Sequence, residues 1–173
     1  MNNIDTVLFD FDGTVMNTNQ VILMSWQHTF KTIENRLEDE KKLIQTFGEP
    51  LEDTMRKFFP DVPVEEAIEI YRSYHRDNFG ELISLFPGMK ELFAELRAKG
   101  YKLGMVTSRL RQTTSQGLEK YEINEYFDVV VTADDTKKHK PDPEPVYIAL
   151  KKLGSAPQSS IMLGDTMYDI LCA

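Results

Sequence analysis

Short apolar runs alternate with segments of helical periodicity over residues 85–173, and this alternation restricts the fold more than any other feature of the sequence. The runs are Leu103-Gly104-Met105-Val106, Val129-Val130-Val131 and Ile161-Met162-Leu163, and a similar run, Thr6-Val7-Leu8-Phe9, stands near the N-terminus. Between them, apolar residues recur every three or four positions, as on one face of a helix. Strands that alternate with helices are typical of a parallel sheet with crossover helices. The sequence therefore predicts an α/β fold with a Rossmann-like parallel sheet.

Residues 17–84 follow a different pattern. Apolar residues recur at helical spacing from Ile22 through Trp26 and Phe30 to Leu37, and the same spacing continues to about residue 84 without a strand-like run. Glycines and prolines divide the stretch into about four helices. We therefore predict two domains: an α/β core formed by residues 1–16 and 85–173, and an inserted all-helical cap formed by residues 17–84.

Composition restricts the partners of this chain. Its 173 residues carry a formal net charge of −8, which disfavours nucleic acids and anionic membranes as partners. Cys172 is the single cysteine, so no intrachain disulfide forms, and the sequence contains no run of about 20 apolar residues. We expect a cytoplasmic protein that acts on a small molecule. The sequence does not indicate its oligomeric state.

Polar residues follow every predicted strand of the core. In chain order they are Asp10 and Asp12, Thr107 and Ser108, Lys140, and Asp165. The carboxyl ends of parallel strands meet at one edge of a sheet, where ligands of such sheets bind. Carboxylates gathered there repel one another unless a cation joins them, and Mg²⁺ prefers such oxygen ligands. A lysine and hydroxyl groups suit phosphate oxygens. The pattern predicts a phosphoryl-transfer site that uses Mg²⁺.

The same residues form four motifs that resemble those of the haloacid dehalogenase-like hydrolases. The motifs are Asp10-Phe11-Asp12-Gly13-Thr14, Thr107 after its strand, Lys140-Pro141-Asp142-Pro143, and Gly164-Asp165-Thr166-Met167-Tyr168-Asp169. The helical insertion resembles the C1 cap of the phosphoglycolate phosphatase-like branch. Within that branch, Asn17-Thr18-Asn19 and Arg109-Leu110-Arg111 are similar to segments of the bacterial pyrophosphatases that accompany the HPr kinase/phosphorylase.

The resemblance implies a role for each motif residue. Asp10 attacks phosphorus, and Asp12 protonates the leaving oxygen and later deprotonates the hydrolytic water. Thr107 and Lys140 hold the transferring phosphoryl oxygens, and Ser108 contributes its backbone N–H. The implied Mg²⁺ ligands are the Asp10 carboxylate, the Asp12 carbonyl oxygen and Asp165, with Asp169 either beside the metal or acting as a helix cap. Arg109 and Arg111 are candidates for binding a second phosphate of the substrate.

The implied function is Mg²⁺-dependent hydrolysis of a small phosphorylated substrate through an aspartyl-phosphate intermediate. Inorganic pyrophosphate is the preferred substrate, with phosphoglycolate as the alternative. A phosphotransferase of the β-phosphoglucomutase type uses the same site, and a binding protein without catalysis is a further alternative. A purely structural interpretation also exists for the last motif, in which Asp165 or Thr166 caps the final helix.

The family pattern also leads to an expectation about the C-terminus. Relatives continue beyond the fourth motif into a further strand and helix, whereas this sequence ends at Ala173. The core is therefore expected to be C-terminally truncated. The strand at Ile161-Met162-Leu163 is then expected to form an exposed edge that favours self-association.

Overall fold

Strands and helices alternate from residue 84 to the end of the chain, as the sequence predicts, whereas residues 19–82 form four consecutive helices. The computed structural model describes residues 4–173; residues 1–3, which the sequence analysis assigns to the core, lie outside the described residues. The elements are β1 (Thr6–Phe9), β2 (Met16–Asn17), α1 (Asn19–Glu34), α2 (Glu40–Ile44), α3 (Leu51–Phe58), α4 (Val64–Leu82), β3 (Ser84–Leu85), α5 (Met89–Ala98), β4 (Lys102–Val106), α6 (Arg111–Lys120), β5 (Val129–Val131), α7 (Glu144–Leu153), β6 (Ser160–Leu163) and α8 (Met167–Cys172). Short 3₁₀ helices cover Asn124–Tyr126, Ala133–Asp135 and Pro157–Ser159.

The chain divides into two compact units. One contains the residues up to Asn17 together with Ser84–Ala173, and the other is Thr18–Ile83. The first unit is an α/β core and the second contains helices α1 to α4.

The α/β unit is built on a parallel sheet with β1 in its interior. The strand order is β5-β4-β1-β6, and all three neighbouring pairs are parallel. All four residues of β1 are buried, because it has a strand on each side and helices of the unit cover the sheet. Helix α7 packs against β4 and β5 through Val146, Ala149 and Leu150. The predicted α/β class with a parallel sheet is confirmed.

A second, very small sheet lies where the chain enters and leaves the helical unit. Strands β2 and β3 are antiparallel, with Met16 opposite Leu85 and Asn17 opposite Ser84. The sequence analysis missed this pair, because two residues are too few to show the alternation by which a strand is recognised.

The helical unit has a core of its own. Trp26, Phe30, Met55 and Tyr71 are buried together there, and Trp26 and Tyr71 make an edge-on ring contact with centroids 5.1 Å apart. This burial agrees with the apolar face that the helical spacing of Trp26 and Phe30 predicts.

The first helix of this unit is shorter than predicted. It ends at Glu34, because Asn35 adopts a left-handed conformation with φ of 53° and its N–H bonds to the carbonyl of Lys31. Asparagine tolerates this conformation better than most residues and can end a helix in place of glycine. The expectation that Leu37 extends the apolar face was therefore wrong: Leu37 lies outside the helix and is 68% exposed.

Strand β6 lies at one edge of the described sheet, and the expected truncation of the core stays a prediction. Among the described strands β6 pairs with β1, and Ile161 and Leu163 expose 44% and 40% of their surface. Helix α8, which follows it, exposes Ile170 and Leu171. The expected self-association through this edge stays a prediction. Within residues 4–173, none of the helices has the length and apolar character needed to cross a membrane.

Candidate active site

The polar residues that follow the strands are fixed by the sheet itself. The Asp10 N–H donates to the carbonyl of Leu163 at 2.8 Å, which extends the pairing of β1 with β6 by one residue. The Thr107 N–H donates to the carbonyl of Val131 at 3.0 Å, which does the same for β4 and β5. Asp10 and Thr107 are both buried. Their backbone positions are therefore set by hydrogen bonds of the core.

Three carboxylates converge at this edge of the sheet. Asp10, Asp165 and Asp169 each offer one oxygen, and these three oxygens lie within 4.8 Å of one another. Asp10 follows β1, Asp165 follows β6, and Asp169 lies in α8. The predicted convergence of residues that lie more than 150 positions apart is thus seen in the structure.

Lys140 joins this cluster from a buried position. Its Nζ donates to Oδ1 of Asp10 and to Oδ1 of Asp169, both at 2.6 Å. Three carboxylates and one ammonium leave two uncompensated negative charges when all four groups are ionised. One divalent cation would balance these two negative charges.

Burial makes this excess charge costly. It raises the pKa of Asp10 to about 7, against the opposing attraction of Lys140. Burial also raises the pKa of Asp165. For Lys140, burial disfavours the charged form, but attraction to Asp10 and Asp169 outweighs it and raises the pKa. The ammonium is therefore firmly charged, while the raised pKa values of Asp10 and Asp165 mean that these two carboxylates bind protons more readily than in water.

Gly13 makes room for one of these carboxylates. A Cβ at this position would lie 2.0 Å from Oδ2 of Asp165, closer than any real contact, and the φ of Gly13 is +73°. Both the lack of a side chain and the left-handed backbone require glycine here. The glycine of the first motif therefore allows Asp165 to approach the loop that follows β1.

The last motif combines a helix cap with the carboxylate cluster. Thr166, and not Asp165, is the N-cap of α8, and its hydroxyl and backbone N–H both donate to Oδ2 of Asp169. The other oxygen of Asp169 accepts from Lys140. Asp169 therefore belongs to the capping box of α8 and also lies in the carboxylate cluster, and its role beside a metal stays a prediction. The alternative in which Asp165 caps this helix is wrong.

Thr107 and Ser108 differ in exposure. The Thr107 hydroxyl accepts the N–H of Arg109 at 3.1 Å, and Thr107 is 3% exposed. Ser108 is exposed at the turn after β4. Their predicted contacts with a phosphoryl group stay predictions.

The two arginines of this loop are placed very differently. Two nitrogens of Arg109, Nε and Nη2, donate hydrogen bonds to the Asp12 carboxylate, and the distance from Nε to Oδ2 is 3.0 Å. Arg111 instead bonds to Asp135 and keeps 47% of its side chain exposed. The same role was expected for both arginines, but of the two only Arg109 lies beside a motif carboxylate. Nothing in the sequence indicates the pairing of Arg109 with Asp12, since the two residues lie 97 positions apart.

The cluster suits a hard divalent cation such as Mg²⁺. All the ligand atoms it offers are carboxylate oxygens, the type that Mg²⁺ prefers, and their excess charge matches that of one such ion. The carboxylate of Asp12 is held by Arg109 and does not belong to the group. Asp12 was expected to contribute its carbonyl oxygen, and that stays a prediction.

A family comparison decides which class of protein carries this site. The model of the haloacid dehalogenase-like hydrolases matches residues 7–173, nearly the whole sequence. This chain belongs to the haloacid dehalogenase-like hydrolases. The family resemblance inferred from the four motifs is confirmed, and with it the prediction that the chain is an enzyme.

Relatives of this haloacid dehalogenase-like hydrolase include two bacterial pyrophosphatases. Pyrophosphatase PpaX of Bacillus cereus is 41% identical over 168 residues, which cover 97% of this chain and 77% of the relative. Pyrophosphatase PpaX of Halalkalibacterium halodurans is 39% identical over 97% of this chain and 78% of its own length.

Solved structures with the same fold come from several bacteria. A haloacid dehalogenase-like hydrolase from Streptococcus pneumoniae has a TM-score of 0.86 at 28% identity, covering 99% of this chain and 80% of its own. A proposed phosphoglycolate phosphatase from Lactobacillus plantarum also has a TM-score of 0.86 at 28% identity, covering 98% of this chain and 81% of its own.

Proposed function

We propose that this haloacid dehalogenase-like hydrolase is a Mg²⁺-dependent phosphatase of small substrates and that inorganic pyrophosphate is its substrate. The observation that carries the proposal is the cluster of Asp10, Asp165 and Asp169 with Lys140 at the carboxyl edge of the sheet. It combines a buried carboxylate, a firmly charged ammonium and a set of oxygen ligands in one place. The names of the two relatives near 40% identity favour pyrophosphate.

In the proposed reaction, Asp10 is the nucleophile. An oxygen of its carboxylate attacks phosphorus, and the bond from phosphorus to the leaving oxygen breaks. Asp12, two residues along the same loop, gives the leaving oxygen its proton. Asp12 then takes a proton from water, which attacks the aspartyl-phosphate, and the bond between phosphorus and Asp10 breaks to release phosphate.

The other residues act on charge and position. Lys140, already 2.6 Å from Asp10, neutralises the charge that develops on the phosphoryl oxygens beside it. Thr107 lies at the end of the neighbouring strand and is proposed to hold a phosphoryl oxygen with its hydroxyl. The Mg²⁺ ion, proposed to bind Asp10, Asp165 and Asp169, supplies positive charge for the phosphate oxygens when it is bound.

Phosphoglycolate is the second candidate, because a proposed phosphoglycolate phosphatase shares the fold at 28% identity. It presents a carboxylate where pyrophosphate presents its second phosphate. The helical unit is proposed to act as the cap that selects among such substrates. The cytoplasmic location of the protein stays a prediction.

A phosphate-release assay tests this function. Purified protein with Mg²⁺ is offered pyrophosphate, phosphoglycolate, sugar phosphates and nucleotides, and we expect the highest kcat/KM with pyrophosphate. A preference for phosphoglycolate would replace the substrate and keep the reaction. Transfer that requires a sugar bisphosphate would indicate a phosphomutase, and no turnover of any compound would refute the enzymatic proposal.

Metal binding is expected to depend strongly on pH. Because the pKa of Asp10 in the folded protein is about 7, above its ordinary value of 3.8, the stability that Asp10 contributes is complete below about pH 4. It is lost as the pH rises toward 7. Mg²⁺ binds the ionised carboxylates, so it should raise the melting temperature more at pH 8 than at pH 5.

Thermal unfolding with and without Mg²⁺ at the two pH values measures this effect. Asp165→Asn is expected to remove most of the Mg²⁺-dependent shift, whereas Asp61→Asn, an exposed carboxylate in the helical unit, should retain it. An equal shift at pH 5 and pH 8 would contradict the assignment of Asp10 as a metal ligand.

A further inference from the structure

Arg109 is bound to Asp12 in a geometry that a substrate phosphate can also accept. Its Nε and Nη2 donate to the two oxygens of the Asp12 carboxylate, and its Nη1 donates to the Thr113 hydroxyl at 3.3 Å. A paired, fork-like contact of this kind is equally suited to two oxygens of a phosphate or of a carboxylate ligand. The two nitrogens of the Arg109 guanidinium that now bind Asp12 are therefore suited to bind another anionic group in its place.

The arginine is better fixed than the aspartate it holds. The Arg109 side chain is 8% exposed, whereas that of Asp12 is 29% exposed. The Arg109 guanidinium also lies over the Phe11 ring, 5.5 Å from its centroid. The backbone of Arg109 is held at both ends, by the Thr107 hydroxyl at its N–H and by the Ala133 N–H at its carbonyl. The partner that can leave the pair is therefore Asp12.

This pairing conflicts with the role proposed for Asp12. Both oxygens of its carboxylate accept hydrogen bonds from Arg109, and these bonds hold the carboxylate against the guanidinium. Asp12 must be released before it can exchange a proton with the substrate. A phosphate group carries up to two negative charges against one on a carboxylate, so it competes well for a guanidinium.

We infer that Arg109 is the residue by which the enzyme selects substrates with two anionic groups. The second anionic group of the substrate, a phosphate or a carboxylate, takes the place of Asp12 on the guanidinium and so frees Asp12 to act at the leaving oxygen. This inference rests on the proposed phosphatase function. A phosphate ester with a neutral leaving group offers nothing to exchange, so Asp12 stays paired and turnover is slow.

Arg111 does not share this role. Its guanidinium is bound to Asp135, and its backbone N–H donates to Asp134, at the start of α6. The two arginines that the sequence treats alike are thus separated into one that faces the motif aspartate and one that is held by another acidic segment.

The test compares substrates with and without a second charge. Phosphoglycolate and 2-hydroxyethyl phosphate both carry a two-carbon group on the phosphate, but only the first ends in a carboxylate. We expect Arg109→Gln to lower kcat/KM at least tenfold for pyrophosphate and for phosphoglycolate. The variant should not lower it for 2-hydroxyethyl phosphate, because Asp12 is then no longer paired with an arginine. Tenfold corresponds to about 1.4 kcal/mol. An equal loss with all three substrates, or no loss with any, would overturn the inference.

A binding measurement tests the exchange without turnover. Calorimetry with methylenediphosphonate, which has two anionic groups and is not hydrolysed, should show at least tenfold weaker binding to Arg109→Gln than to the wild type. Inorganic phosphate should bind both proteins within about threefold. Equal binding of the diphosphonate to both proteins refutes the exchange. If the wild type hydrolyses nothing but the diphosphonate result holds, the proposed function fails while the inferred anion site remains.

Two further variants distinguish a specific effect of Arg109 from a general loss of folding. Arg97→Gln removes a comparable arginine that bonds to Asp128 at 2.6 Å elsewhere in the same unit, and it should leave the substrate preference unchanged. Arg109→Lys keeps the charge but not the fork, and it should lose selectivity for the anionic substrates by a smaller factor. A full wild-type preference in Arg109→Lys would show that charge alone suffices and would contradict the proposed fork.

Discussion

Asp10→Asn is expected to lower the rate of phosphate release by at least about 100-fold while the protein stays folded. An amide has nearly the shape of the carboxylate and still accepts a hydrogen bond from Lys140, but it is a poor nucleophile toward phosphorus. Loss of a nucleophile normally costs far more than loss of a single binding contact. Steady-state assays under saturating Mg²⁺ and substrate measure the effect, and a loss of less than tenfold would rule out the covalent route.

The same substitution is expected to lower activity but to favour the stability of the metal-free protein as the pH rises. Burial raises the pKa of Asp10 to about 7, so keeping this carboxylate ionised at pH 8 costs the metal-free protein stability. An asparagine does not have this cost. The stability of Asp10→Asn relative to the wild type should therefore increase between pH 5 and pH 8. A decrease over this range, measured by urea unfolding in a chelator, would contradict the raised pKa.

Lys140→Met is expected to lower the free energy of unfolding of the metal-free protein by about 3–5 kcal/mol at pH 8. The substitution leaves two buried carboxylates, those of Asp10 and Asp169, without the ammonium that both of them bind at 2.6 Å. At pH 5 the loss should be smaller, because Asp10 is then mostly protonated. Phosphate release should also fall by at least about 100-fold.

A nearby lysine provides the control for this variant. Lys138→Met removes an ammonium that is 67% exposed and pairs with Asp142 at 3.1 Å. Exposed pairs contribute about 1 kcal/mol at most, so its unfolding midpoint should stay close to that of the wild type. Similar urea midpoints for the two variants would show that the Lys140 contacts do not stabilise the cluster. Lys140→Arg, which keeps the charge, is expected to restore part of the lost stability.

The meeting of Asp10, Lys140 and Asp165 could be predicted from the sequence because it follows from topology. Each residue comes directly after, or shortly after, an apolar strand, and parallel strands bring their carboxyl ends to one edge. The match to the family model confirms the class of protein that this pattern indicated. Burial of carboxylates at such an edge also favours a cation beside them, and the Lys140 ammonium lies there.

Side-chain pairing inside the site was not predictable in the same way. Arg109 bonds to Asp12, whereas Arg111, two residues further along, bonds to Asp135. No spacing rule in the sequence shows which aspartate each arginine binds. Likewise, the end of α1 was missed because the chain breaks at Asn35, whereas breakers were sought at glycine and proline. Sequence patterns thus predict which helices and strands form, but not which side chains pair within the site or at which residue a helix ends.

The position of β1 in the sheet also has a consequence for local unfolding. β1 hydrogen-bonds to β4 on one side and to β6 on the other, so its amides can exchange with solvent only when much of the sheet opens. β6 lies at an edge and opens at lower cost. Asp10, the proposed nucleophile, therefore follows a strand that is paired on both sides, whereas Asp165 follows an edge strand of the described sheet, which is expected to open earlier. In mild denaturant the carboxylate oxygens of Asp165 should move away from those of Asp10 before Asp10 leaves its place.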